Sequence, residues 1–155
     1  MKKKDIRILL VDDEPDILEI LSYNLSAEGY QVFTAKNGVE GVAKAKKKQP
    51  HLIVLDVMMP EMDGIEACET IRSTKGLENT IITFLTARGE DYSQVAGFDA
   101  GADDYITKPI KPKVLISKVK ALLRRLKEDE SASEDIVTVG NIVINREEYK
   151  IVNDG

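Results

Sequence analysis

The residues with the clearest chemical potential stand at the ends of short apolar runs. Asp12, Asp13 and Glu14 follow Ile6–Val11, Asp56 follows Leu52–Leu55, Thr86 follows Ile81–Leu85, and Lys108 follows Tyr105–Thr107. If the runs are strands of one sheet, these groups converge at one edge. Carboxylates in contact repel each other, raise one another's pKa and oppose folding unless a cation joins them. All are hard oxygen ligands, which suits Mg²⁺, an ion that takes a few carboxylates together with water and phosphate oxygens. A carboxylate can also attack phosphorus to give an acyl phosphate. Phosphoryl transfer needs mainly positioning and charge neutralisation, for which Lys108 offers an ammonium and Thr86 a hydroxyl. Each residue has a plainer role available: Asp13 capping a turn, Thr86 packing at a strand end, Lys108 pairing with acids. Their coincidence at one sheet edge favours chemistry.

The elements that must position these groups are legible. Five runs, the four above and Gln31–Ala35, are short and rich in Ile, Val, Leu or Thr, as buried parallel strands are. Helical patterns lie between them. The first begins near Pro15, carries Ile17, Leu21 and Leu25 on one face and stops at Gly29. Asn37 can cap the second, which holds Val39, Val42 and Ala43 and runs out before Pro50. The third spans about Ile65–Ser73, the fourth about Tyr92–Ala100, and the fifth about Pro112–Lys127. Strict alternation predicts an α/β fold, a doubly wound five-stranded parallel sheet with right-handed crossovers and helices on both faces. Its functional crevice lies beyond the carboxyl ends of the strands.

Composition narrows the remaining classes. The 155 residues are 43% hydrophobic, enough for a core and against disorder. No apolar run approaches the roughly 18 residues of a membrane span, and Lys2–Lys4 is not followed by a signal-peptide stretch. A soluble, cytoplasmic protein with no membrane partner is expected. One cysteine, Cys68, and one histidine, His51, exclude an internal disulfide and any multi-thiolate or multi-histidine metal centre. His51 reads as structural, and Cys68 as packing. The net charge of −5 conceals three blocks. Residues 1–107 hold 12 basic and 19 acidic residues, 108–127 eight basic and none acidic, and 128–155 two basic and eight acidic. The basic block repeats Val114, Leu115, Val119, Leu122, Leu123 and Leu126 at helical spacing. It reads as an amphipathic helix with a solvated basic face rather than a nucleic-acid site. Residues 128–135 read as an acidic linker. Strand-like Ile136–Asn145 and Tyr149–Val152 then suggest the truncated start of a second domain, since so few strands are not stable alone.

Four motifs in order resemble the receiver domain of two-component response regulators: Leu9-Leu-Val-Asp-Asp-Glu14, Leu55-Asp-Val-Met-Met-Pro-Glu-Met-Asp-Gly64, Leu85-Thr-Ala-Arg88, and Gly101-Ala-Asp-Asp-Tyr-Ile-Thr-Lys-Pro109. The resemblance covers about residues 5–127 and implies a flavodoxin-like strand order of 2-1-3-4-5. It implies that Asp56 accepts a phosphoryl group from a sensor histidine kinase. Asp13 and Asp56 would bind Mg²⁺ through side chains and Met58 through its backbone carbonyl, while Asp12 would hold a metal-bound water or bind the metal indirectly. Lys108 would pair with the phosphoryl group, aimed by a cis Lys108–Pro109 bond. Thr86 would move inward and Tyr105 rotate into the vacated space, altering the face of the fourth helix, fifth strand and fifth helix. Such a protein is a phosphoacceptor switch that assists its own phosphorylation and dephosphorylation, not a conventional enzyme.

Gly101-Ala-Asp-Asp-Tyr105, the Leu122-Leu-Arg-Arg125 helix end and the strand-rich tail are similar to the OmpR/PhoB subfamily. That likeness implies a transcriptional regulator. Residues 1–127 would be the receiver, 128–135 the linker and 136–155 the first strands of a winged-helix domain, through which alone promoter DNA would be bound. It also implies a phosphorylation-dependent homodimer, for which Phe98, Asp99, Asp103, Asp104, Ile110, Lys118 and Arg125 are suitable. Gln94 and Val114 stand where the subfamily has an Arg–Glu pair, and Ile110 where it often has Phe. Exposed pairs are worth only about 0.2–1 kcal/mol each, so this departure bears on geometry and affinity more than on dimer existence. Other readings are a stand-alone receiver acting by protein contact and a haloacid-dehalogenase-like phosphatase. The latter usually needs a second acid two residues after the nucleophile, where Met58 stands. A flavodoxin-like cofactor binder lacks a Gly-rich phosphate loop.

Overall fold

A computed structural model of the chain describes residues 2–59, 62–87 and 99–139, with side chains as far as Leu126. Five strands, β1 (Arg7–Val11), β2 (Gln31–Ala35), β3 (Leu52–Asp56), β4 (Ile81–Thr86) and β5 (Asp104–Thr107), pair in parallel in the order β2-β1-β3-β4-β5. This is the predicted sheet, with each strand within a residue of its apolar run. Register is set by Ile8 opposite Leu52, Leu52 opposite Ile81 and Phe84 opposite Tyr105. β3 and β4 are buried along their whole length, as strands covered on both faces must be.

The helices follow their local signals. α1 (Pro15–Ala27) starts on Pro15, whose fixed φ and missing N–H suit a first helical position. It ends where Gly29, at φ +107°, turns the chain toward β2. α2 (Gly38–Lys48) is capped by Asn37, which accepts the Glu40 N–H at 2.8 Å, while the Glu40 carboxylate accepts the Lys36 N–H at 2.9 Å. α3 (Gly64–Arg72) is capped by Asp63, which accepts the Glu66 N–H. On one face of the sheet Leu9, Val11, Ile53, Leu55, Ile82 and Phe84 pack with Val42 and Ala45 of α2 and Ala67, Cys68 and Ile71 of α3. The alternate strand residues point the opposite way. α1 packs on β1 and β2, with Leu21 and Leu25 buried apart from that cluster. His51 is structural: its Nδ1 accepts the Arg7 N–H at 3.0 Å, and its own N–H donates to the Arg7 carbonyl.

Two expectations change at the carboxyl end. The C-terminal helix, expected to stop near Lys127, runs from Pro112 to Val139. It takes in residues 128–135, read as linker, and Ile136–Val139, read as the start of a strand. Between Lys113 and Val139 there is no Gly or Pro, and the acidic stretch is made of residues that cost a helix little. Without a breaker, polarity alone does not end a helix; the first glycine is Gly140. The strand-like residues beyond Val139 lie outside the described residues, as does most of the expected fourth helix, including Gln94 and Phe98. The chain divides into two compact units, Met1–Ser117 and Lys118–Gly155, and all five strands belong to the first.

Asp103, expected on a dimer face, also has partners within the fold: its carboxylate accepts from Arg72 Nη2 and from the Ile82 N–H, each at 2.9 Å. Arg72 also donates to the carbonyls of Gly101, Glu78 and Thr80. At φ +106°, Gly101 fits there because a Cβ would lie 3.1 Å from the Arg72 stem. The acid is held inside because the start of β4 needs an acceptor and the guanidinium needs a counter-charge. Arg72→Ala should therefore cost about 2–3 kcal/mol in urea unfolding, since it strands a half-buried carboxylate and several carbonyls. Arg72→Lys should recover little, because an ammonium cannot reproduce the fork.

Candidate functional site

Backbone hydrogen bonds to neighbouring strands seat Asp12, Asp56 and Lys108. The Asp12 N–H donates to the Ala35 carbonyl, that of Val57, next to Asp56, to Leu85, and that of Lys108 to Thr86 at 2.6 Å. The pocket they form lies at the carboxyl ends of β1, β3, β4 and β5, where the strand order reverses, as expected for this architecture. Lys108 Nζ is 3.3 Å from Asp12 Oδ2, 3.5 Å from Asp56 Oδ2 and 4.0 Å from Glu14 Oε2. Asp12 Oδ1 accepts the Glu14 N–H at 2.9 Å, and Asp56 Oδ1 faces the Met58 N–H at 3.4 Å. Thr86 is buried, and its hydroxyl has no hydrogen-bond partner among the described residues. The Lys108–Pro109 bond is cis.

The charges do not balance. Burial pushes Asp56 up from the ordinary 3.8 to about 7, and Asp12 adds repulsion that Lys108 and the Met58 N–H only partly offset. Asp12 is also raised, chiefly by burial. Burial alone would lower Lys108, yet Asp56, Asp12 and Glu14 together raise it. One ammonium thus cannot neutralise this set of acids. Asp12, Asp13 and Asp56 each present a carboxylate oxygen within 4.8 Å of the others, with Asp12 and Asp56 buried and Asp13 exposed. Hard, closely set and short of positive charge, these three fit a divalent metal ion.

The family comparison decides what this arrangement belongs to. The response regulator receiver domain matches residues 8–120, a span that holds every group of the pocket. The chain belongs to that family. Among curated relatives, the receiver is similar to the alkaline phosphatase synthesis transcriptional regulatory protein PhoP of Bacillus subtilis, 42% identical over 153 residues, covering 93% of this chain and 62% of that protein. It is likewise similar to the DNA-binding response regulator MtrA of Mycolicibacterium smegmatis, 37% identical over 149 residues, covering 96% of this chain and 63% of that one. These are transcriptional regulators, the class that the OmpR/PhoB resemblance implies. The chain spans about three fifths of their length. Among solved structures, a putative response regulator from Chloroflexus aurantiacus aligns with a TM-score of 0.74 at 35% identity, covering 77% of this chain and 98% of that one. The Vibrio cholerae chemotaxis protein CheY4 aligns with a TM-score of 0.72 at 32% identity, covering 76% and 98%. Response regulators are phosphoacceptor switches rather than conventional enzymes.

The receiver therefore brings Asp12, Asp13, Asp56, Thr86 and Lys108 to one sheet edge, as the sequence predicted. Tyr105 lies on β5, half-buried against the core. Met58 is exposed beside Asp56. Of the residues expected on a dimer face, Asp99 and Arg125 are exposed, Asp104, Ile110 and Lys118 half-buried, and Asp103 is engaged at Arg72. Glu14, grouped with Asp12 and Asp13 in the sequence but given no separate role there, is a third acid within reach of Lys108. Its place two residues after Asp12, at the start of α1, was the available signal.

Proposed function

We propose that this chain is the receiver of a transcriptional response regulator, phosphorylated on Asp56 by a sensor histidine kinase. The carrying observation is the pocket's charge deficit, in which a buried acid with a pKa of about 7 sits beside two more carboxylates and a single ammonium. Asp12, Asp13 and Asp56, with the Met58 backbone carbonyl, would hold Mg²⁺. When bound, the ion supplies the positive charge that transfer of a phosphoryl group requires. An ionised Asp56 oxygen attacks phosphorus, the P–N bond of the donor's phosphohistidine breaks, and its electron pair returns to the imidazole, which regains a proton. Lys108 Nζ balances charge on the transferred group, and the Thr86 hydroxyl donates to it. The same groups serve hydrolysis of the acyl phosphate.

The output reading rests on the likeness to transcriptional regulators. Thr86 drawn toward the phosphoryl group leaves space for Tyr105, and the altered face supports a homodimer for which Asp99, Asp104, Ile110, Lys118 and Arg125 are candidates. Residues 1–127 are the receiver, the helical 128–139 the connection, and 140–155 the opening of a winged-helix domain; promoter DNA would be met by that domain when whole and not by these residues alone. Among the described residues no helix is long and apolar enough to cross a membrane, in keeping with a cytoplasmic site of action. The test is incubation with Mg²⁺ and acetyl phosphate followed by intact-mass and peptide mass spectrometry. One phosphoryl group on Asp56 is expected, with no uptake when Mg²⁺ is omitted. Loading at another residue, or sustained turnover of phosphate esters, would overturn the reading.

A further inference from the structure

The segment that follows Asp56 is gripped from two sides by glycines. At Gly64, the first residue of α3, a Cβ would stand 2.2 Å from the Asp56 carbonyl oxygen and 2.9 Å from Val57 Cα. The Gly64 N–H closes the segment by donating to the Val57 carbonyl at 2.9 Å. At Gly38, the first residue of α2, a Cβ would stand 2.3 Å from the Met62 carbonyl oxygen and 2.9 Å from Met62 Cγ. The nearest contact of each glycine is with a backbone carbonyl, which cannot swing aside as the tip of a side chain does. Met62 is itself packed against the core, as is Met59.

The first turn of α2 cannot readily yield instead. It is fixed by the reciprocal cap of Asn37 and Glu40, and one turn later Gly41 rests on Val11, where a Cβ would meet both γ-methyls at 3.0 Å. Bulk at Gly38 must therefore displace Met62 and, two residues further on, Gly64, which rests on the Asp56 carbonyl and Val57. Gly38 neither touches nor carries any group of the pocket. We propose that Gly38 is a positioning residue for the Asp56 site, acting through Met62 to seat the segment that bears the phosphoacceptor and Met58. This rests on the receiver reading of that site.

The test compares Gly38→Ala with Gly29→Ala, which strains a positive-φ turn at the opposite end of the sheet and serves as a purely structural control. Mg²⁺ affinity is read by isothermal titration calorimetry and the Asp56 phosphoryl half-life after acetyl phosphate loading by mass spectrometry. Gly38→Ala is expected to weaken Mg²⁺ binding by about tenfold, the usual size of an outer-shell effect, and to change the half-life severalfold. Gly29→Ala should lower the Tm and leave both unchanged. Met62→Ala, which loosens the seat without adding bulk, should shift Mg²⁺ affinity in the same direction, and it decides the matter if Gly38→Ala does not fold. Wild-type Mg²⁺ affinity and half-life in a folded Gly38→Ala, or in Met62→Ala if the former does not fold, would overturn the inference alone. Failure of the wild type to bind Mg²⁺ or accept phosphate would instead overturn the underlying reading.

Discussion

Asp56→Asn should take up no phosphoryl group and should be more stable than the wild type in metal-free buffer at pH 8. The first half follows from the loss of the nucleophilic oxygen. The second follows from linkage. The Asp56 pKa is about 7 in the folded protein against the ordinary 3.8, so between those values the native state holds a proton that the unfolded chain has released. Stability then falls as pH rises, and the full cost of an ionised Asp56 is borne above about pH 7. A gap of this width corresponds to roughly 4 kcal/mol as a ceiling. Coupling to Asp12 and local relaxation reduce it, and a gain of about 2 kcal/mol is expected. At pH 4 the two proteins should be nearly equal, because the wild-type acid is then neutral in the fold. Urea titrations across this range provide the measurement; a variant less stable than the wild type at pH 8 would show that Asp56 is not under electrostatic stress. Saturating Mg²⁺ should narrow the difference by stabilising the wild type more, since Asn is the poorer ligand.

Lys108→Ala should have the opposite sign and a similar size. Among the described residues the ammonium pairs with Asp12, Asp56 and Glu14, at 3.3, 3.5 and 4.0 Å. Removing it leaves buried acids unpaired, a loss of about 2 kcal/mol at pH 8 in the absence of metal. At pH 5 Asp56 is protonated in the fold, the lysine has less to balance, and the loss should shrink. The raised Lys108 pKa agrees in sign: its favourable contribution is present below the ordinary lysine value and disappears only in the alkaline range. Because the ammonium competes with a divalent ion for the same oxygens, Mg²⁺ affinity should rise about fivefold, or roughly 1 kcal/mol. Calorimetry would read that increase. Equal destabilisation at the two pH values, or weakened Mg²⁺ binding, would show that Lys108 acts by packing rather than by charge.

Most of the pocket was legible because it obeys local rules. Apolar runs of strand length, punctuated by Pro15, Gly29 and the Asn37 cap, impose a βα alternation, and that alternation brings strand ends together whatever their separation in the chain. Asp12, Asp56, Thr86 and Lys108 each stand immediately after or at the end of a run, so their convergence needed no knowledge of contacts. Arg72 illustrates what could not be read. Its acceptors are 6 to 31 residues away and lie in turns, and no periodicity announces a guanidinium that ties turns together. The tie between Asp103 and Arg72 was hidden for the same reason, since the partner is visible only in three dimensions. Gly38 follows the legible Asn37 cap, but the backbone of Met62 beside it has no sequence signature. The acidic stretch after Lys127 misled in another way, because charge density suggested solvated chain while the absence of Gly and Pro permitted helix.

The strand order gives the chemistry a second meaning. Its four central groups come from consecutive neighbours in the sheet, β1, β3, β4 and β5, whereas β2 contributes none. A slip of one residue in any of those ladders would turn an acid, the threonine or the lysine to the opposite face. On the proposed function, phosphoryl uptake would double as a readout of assembly: uptake on Asp56 would require these four strands in register, and a misassembled molecule would accept none.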